Sequence, residues 1–176
     1  EILIASFIPV LGMYVSRYII PERYVIWTGL LLVFTPYSIL SSFLLYSETC
    51  FTFLFLIFLI FLFRYIKEQT VRNAIWSGFF LGLATLVKPT VQYFPIIIPL
   101  IILYILRKQL TIHLLKHLTL FLIVFSLLIA PWIYRNHKEF GVYGMSAQPA
   151  FNLYVYLVPT VLSIDNHTKF STEVSN

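Results

Sequence analysis

Charge is what this sequence has least of. Its 176 residues include 12 Lys and Arg and 7 Asp and Glu, so charged side chains make up 11% of the chain, against roughly 25% in a globular domain. So few charges cannot clothe an apolar interior in water, and a self-contained soluble domain is excluded. There is a single cysteine, which excludes a disulfide scaffold and a zinc ribbon. Glycine is scarce, at six residues, and none of the six builds a phosphate-cradling loop. The net charge is +5, but the cations form no clustered basic face of the kind that binds nucleic acid. No repeat of solenoid period is present. What the chain has is apolar mass. Hydrophobic residues are 60% and aromatics 18%, with 17 Phe and 12 Tyr, and the mean hydropathy is +0.89. Disorder is excluded on the same ground. The composition is that of a membrane protein or part of one.

Stretches free of Asp, Glu, Lys and Arg place the expected membrane helices near 2–16, 24–42, 49–65, 74–88, 90–106 and 117–134. About 20 helical residues cross the roughly 30 Å of hydrocarbon, and the shorter stretches are flanked by Arg, Lys, Tyr and Trp that snorkel to the interface. Pro36, with Ser38, Ser41 and Ser42, predicts that the second helix ends inside its stretch. Transmembrane strands alternate polar and apolar residues, and these runs do not. The expected fold class is therefore an all-α polytopic membrane protein with about six transmembrane helices in residues 1–140, followed by an extracytoplasmic loop or interfacial segment in 141–176. Within that loop, 150–162 is apolar again and reads either as interfacial or as the approach to a further helix.

Arg17, Arg23, Arg64, Lys67, Arg72, Arg107, Lys108 and Lys116 fall in three alternate connections; Lys88, Arg135, Lys138 and Lys169 fall on the other side. The bias puts 17–23, 64–72 and 107–117 in the cytoplasm and the turn at 88–90 outside. Tyr24, Trp27, Tyr65, Trp76, Tyr104 and Trp132 lie near span ends, as an aromatic belt requires. Glu1 leads straight into an apolar run with no basic n-region and no cleavage pattern, so we expect an internal or truncated piece of a longer protein.

Ionisable residues at membrane depth mark sites, and three places on the expected outer side qualify. Ser47-Glu48-Thr49 opens an apolar run. It reads either as a capped helix start, with Glu48 at the positive end of the dipole, or as a carboxylate facing a substrate. Lys88-Pro89-Thr90 reads as a tight turn with an interfacial lysine, or as a cation beside a broken helix that holds a phosphate as a point charge. Pro131-Trp132-Ile133-Tyr134-Arg135-Asn136 reads as an interfacial anchor with a snorkelling arginine, or as Arg135 and Asn136 lining a site with Glu48 and Lys88. Other features are plain. Gly78 and Gly82 let helices pack closely. His113 and His117 share a helical face without the intervening acid of a zinc motif. Cys50 has no neighbouring His to activate it. Asn166-His167-Thr168 matches a glycosylation sequon, which has no meaning in a bacterium.

These places occur in order along the chain: Ser47-Glu48 opening a span, then Gly82-Leu83-Ala84-Thr85-Leu86-Val87-Lys88-Pro89-Thr90, then Pro131-Trp132 with Arg135-Asn136, then Asn152-Leu153-Tyr154. In that order and spacing they resemble the C-type glycosyltransferase superfamily, in its branch of dolichyl-phosphate-mannose protein mannosyltransferases and bacterial aminoarabinose transferases. The resemblance covers about residues 1–155. It implies transfer of a sugar from a polyprenyl-phosphate donor to an acceptor of unknown identity, on the outer face of a bacterial plasma membrane. It also implies a C-type glycosyltransferase-like helical bundle. Lys88, Arg135 and Asn136 are the substrate-binding candidates, with the two cations facing the donor phosphate. Glu48 is a secondary candidate for a catalytic role, because the family's catalytic aspartate lies in a large outer loop after the first span, and no such loop is present here. Lys88 stands where the family commonly has Arg, and 155–159 replaces the Gly and Asn residues that usually follow the Asn-Leu-Tyr stretch. Membrane lipid and the donor are the implied partners, and nucleic acid is not one. No cofactor is fixed: a divalent metal stays open, although the sequence contains no ligand cluster. The competing expectations are a polytopic transporter or lipid flippase, which would need mid-membrane charges and inverted repeats, and a non-catalytic membrane fragment.

Overall fold

A computed structural model describes residues 2–35, 47–107, 111–146, 155, 157, 158, 160 and 161. Among these the secondary structure is helical: α1 Ile2–Ser16, α2 Glu22–Val33, α3 Ser47–Glu68, α4 Val71–Val87, α5 Phe94–Ile105 and α6 Ile112–Phe140, with a 3-10 turn at Pro89–Val91 between α4 and α5. No strand occurs among the described residues, and the chain is all-α. It divides into two compact units, Glu1–Trp132 and Ile133–Asn176, with the boundary inside α6.

In the first unit the helices pair as hairpins. α1 packs on α2 and on α3, and α3 packs most extensively on α4. The α1–α2 contact is made at glycines: a Cβ on Gly12 would run into Leu32, and one on Gly29 would sit 2.6 Å from Met13 Sδ. The turn between the two helices is closed by backbone bonds from Tyr18 N to Val15 O (3.1 Å) and from Ile20 N to Ser16 O (2.9 Å). Pro21 follows with extended geometry, and Glu22 opens α2 on the favourable end of its dipole. α2 stops at Val33, before Pro36, as a proline disfavours helix in the residue ahead of it. The expected span over 24–42 is thus helical from 22 to 33, and 36–46, with the serines expected to end the helix, lies outside the described residues.

α4 is the most enclosed element. Its buried residues are Asn73, Ala74, Ser77, Gly78, Leu81, Gly82, Ala84 and Thr85, a stripe that repeats every three to four positions and so lies along one side of the helix. The stripe is mostly small residues, which allows backbones to approach. A Cβ on Gly78 would lie 2.5 Å from the Phe121 carbonyl oxygen of α6, and one on Gly82 would lie 2.8 Å from Leu128 Cδ1. The buried hydroxyls of Ser77 and Thr85 donate to their own helix, to Ala74 O (2.9 Å) and Leu81 O (2.8 Å), so no polar group of the stripe faces apolar neighbours unsatisfied. The α3–α4 turn is tight: α3 ends at Gln69 in the left-handed region (φ 50°), and Asn73 Nδ2 reaches back to Glu68 Oε2 at 3.0 Å.

α3 and α6, of 22 and 29 residues, are long and apolar enough to cross a membrane, and only 22% and 28% of their most apolar windows are buried. A core helix of a soluble protein of this hydropathy would be mostly buried. The other helices are shorter: at about 1.5 Å per residue, the 12 residues of α5 reach roughly 18 Å. Prolines account for the shortening there. Pro89 breaks the chain after α4, and α5 begins only at Phe94, with Pro95 in its first turn. Helices overlie all six expected spans, and two of them meet the length a bilayer requires. Large apolar side chains stand on the outside of the unit, Leu3 at 78% and Leu127 at 68% exposure among them.

The second unit begins in the last turns of α6. That helix ends at Gly141, whose φ of +68° is the left-handed position where glycine is favoured; Gly141 N closes on His137 O at 2.9 Å. Most of 150–162, the Asn-Leu-Tyr stretch and the sequon lie outside the described residues.

Candidate functional site

Glu48 stands in the first turn of α3, and Lys88 directly follows the last turn of α4. These helices are antiparallel neighbours joined at 69–70, and from that turn α3 runs roughly 33 Å and α4 roughly 26 Å to its other end. The two residues, 40 apart in sequence, therefore arrive at the same level. Lys88 Nζ lies 2.9 Å from Glu48 Oε1 in a hydrogen-bonded ion pair. Each charge also suits its helix end: a carboxylate near the N-terminus of α3 and a cation at the C-terminus of α4 complement the two dipoles. Lys88 adopts extended backbone (φ −142°, ψ 108°) because Pro89 follows, which turns the chain out of α4.

The pair is reachable. The Lys88 side chain is 38% exposed and that of Glu48 29%, so an anion arriving at the helix ends can compete with the carboxylate for the ammonium. Next to Glu48, Thr49 is 3% exposed and its hydroxyl has no hydrogen-bond partner. A buried hydroxyl left unpaired is costly.

The structure thus unites two of the four residues selected from sequence. Arg135 and Asn136 belong to the second unit. Asn136 is buried there, and its amide donates to the carbonyls of Gly144 (2.8 Å) and Met145 (3.3 Å), pinning the loop that follows α6. Beside it, the His137 and Tyr143 rings stack with centroids 3.8 Å apart, and the tyrosine hydroxyl meets His137 Nε2 at 2.8 Å. Cys50 is a free thiol. No group of three or more His, Cys, Asp or Glu capable of holding a metal occurs among the described residues.

Two polar groups escaped the sequence reading. Tyr65, 1% exposed, lies edge-on to the His117 ring at 5.9 Å, with neither its hydroxyl nor His117 Nδ1 hydrogen-bonded. Arg64 is bonded to the Tyr14 hydroxyl across α1 and α3. The available signal for the latter was the spacing of Tyr14 and Tyr18, four residues apart and so on one side of a helix, but nothing local announces that Arg64 of another helix would meet them.

No family model matches this sequence, and no curated protein or solved structure matches it either.

Proposed function

We propose that the chain is part of a polytopic membrane glycosyltransferase that moves a sugar from a polyprenyl-phosphate donor to an acceptor at the outer face of a bacterial plasma membrane. The supporting observation is the 2.9 Å pairing of Glu48 with Lys88, which joins at one end of α3 and α4 two positions picked from separate motifs. In this proposal all six helices lie in the bilayer, the short ones completed by their flanking turns and interfacial aromatics.

The chemistry follows from the leaving group. The acceptor oxygen bonds to the anomeric carbon and gives up its proton to the catalytic aspartate that the resemblance implies; the bond from that carbon to the phosphate oxygen breaks, leaving negative charge on the lipid phosphate, and a cation fixed nearby stabilises that charge as it develops. Lys88 supplies it. Glu48 holds the ammonium in place until the donor phosphate displaces the carboxylate. Glu48 is not assigned the removal of the acceptor proton.

The test is sugar transfer in membranes that carry the full-length protein, with a labelled polyprenyl-phosphate sugar as donor. Lys88→Gln should lower kcat by about 100-fold, the scale of losing one preorganised electrostatic contact to a developing charge, and Lys88→Arg should keep most of the activity. Unchanged transfer by Lys88→Gln and Glu48→Gln would overturn the assignment.

A further inference from the structure

Arg64 lies one turn before the end of α3, 16 residues from Glu48 and so about 24 Å along the helix from the ion pair. Its guanidinium donates to the Tyr14 hydroxyl and stands 5.4 Å from the centre of the Tyr14 ring. Tyr18 stands four residues further along, with its ring against that of Tyr14. The two rings meet edge to face at 6.0 Å, and Tyr18 stacks on Phe63 of α3 at 5.5 Å. Arg17, the residue after α1, adds a second positive charge at this end of the helix. Tyr14, Tyr18, Phe63 and Arg64, from α1, the turn after it and α3, are thus held together by ring contacts before any ligand arrives.

What the group lacks is an acid. The ion pair between Lys88 and Glu48 is separate from it, and among the described residues no carboxylate lies within ion-pairing distance of Arg64. A guanidinium carries five N–H donors and no acceptor, and each phenol that accepts one of them keeps its own proton to give. The assembly is therefore rich in donors, with two positive charges and no matching anion. A forked guanidinium flanked by hydroxyl donors fits the several oxygens of a phosphate better than a single point charge would.

We propose that Arg64, with Tyr14, Tyr18 and Arg17, forms a binding site for the phosphate of a phosphate ester at the membrane surface. The site rests on the membrane assignment made above but not on the transfer reaction. It lies at the opposite end of α3 from Glu48, on the side where positive-inside sorting places the cytoplasmic leaflet and its anionic headgroups.

The purified chain in detergent micelles, titrated by calorimetry with dioctanoyl phosphatidylglycerol, dioctanoyl phosphatidylcholine and inorganic phosphate, tests this. Phosphatidylglycerol should bind at least about fivefold more tightly than phosphatidylcholine, and Arg64→Gln should remove that preference, about the effect of one basic residue at an anionic surface. Tyr14→Phe should weaken binding by a smaller factor. Lys67→Gln, three residues on and exposed, should leave it unchanged. Helicity of each variant is read by circular dichroism; if Arg64→Gln loses helix, Arg64→Lys, which keeps the charge and removes the fork, should still bind phosphatidylglycerol more weakly than the parent chain. Inorganic phosphate binding as tightly as the lipid, with the same dependence on Arg64, supports the site and identifies free phosphate as its ligand. Equal binding of the two lipids would show no preference for the anionic ester, and equal losses in Lys67→Gln and Arg64→Gln would show diffuse charge; either result overturns the site. Flotation with phosphatidylcholine vesicles tests the membrane assignment alone: a chain that stays in the aqueous layer overturns that assignment whatever the titrations show.

Discussion

At Gly78 a hydrogen occupies the place where any other residue would set a carbon 2.5 Å from the carbonyl oxygen of Phe121. Backbone lines that position, so it cannot yield by a rotamer change as a long side chain can. Gly78→Val should therefore force α4 and α6 apart at a cost of about 1–3 kcal/mol, the range for overpacking a filled interior, and lower the melting temperature in detergent. Gly82 faces the Leu128 side chain instead, so Gly82→Ala should cost less than Gly78→Ala in the same assay. Asn136 acts at the same scale in the second unit. Its two bonds hold the carbonyls of Gly144 and Met145, and Asn136→Ala would remove both, a loss of about 1–3 kcal/mol for a buried group. Faster hydrogen exchange over 141–146, with α4 unaffected, is the expected outcome. A role for Asn136 at a substrate would have to coexist with this use of its amide.

Among the elements, α3 and α6 combine a length that crosses a bilayer with a surface left mostly uncovered by the rest of the chain. Leu127, near the middle of α6, is 68% exposed. In water a lysine at an exposed helix position costs almost nothing. In the middle of a spanning helix it costs about 3 kcal/mol on the biological insertion scale. Leu127→Lys should thus sharply reduce membrane insertion of α6 in a translocation assay while leaving the helicity of a detergent-solubilised chain unchanged, and full insertion of the variant would count against α6 as a span. The prolines explain why the other helices fall short of that length. Pro89 and Pro95 were visible in the sequence as breakers, but a charge-free run from 89 to 106 looks continuous when only charge is counted, so the helix begins later than the run does.

For the whole molecule, the distribution of cations predicts sidedness: the α3–α4 turn inside and the α4–α5 turn outside. In a Cys50→Ser background, a membrane-impermeant thiol reagent applied to intact cells should label Thr90→Cys and spare Gln69→Cys until the membrane is opened. The reverse pattern would invert the topology and place Lys88 on the cytoplasmic side, away from any outer-face reaction.

The sequence by itself determined that this chain is helical and apolar, and it located the helices, because hydropathy and charge are properties of runs of residues and need no partner. It also singled out Glu48 and Lys88, since a charge that interrupts an apolar run is conspicuous. Small residues spaced for close packing were legible too, as Gly78 and Gly82 show. The tertiary structure alone decided which residues meet. That Lys88 pairs with Glu48 depends on two helices of unequal length folding back to the same level from the turn at 69–70. That Arg64 finds Tyr14 depends on α1 lying against α3. Such contacts join positions 40 and 50 residues apart; the pattern within any one helix is unchanged whichever neighbour it packs on, so only the packed chain shows them.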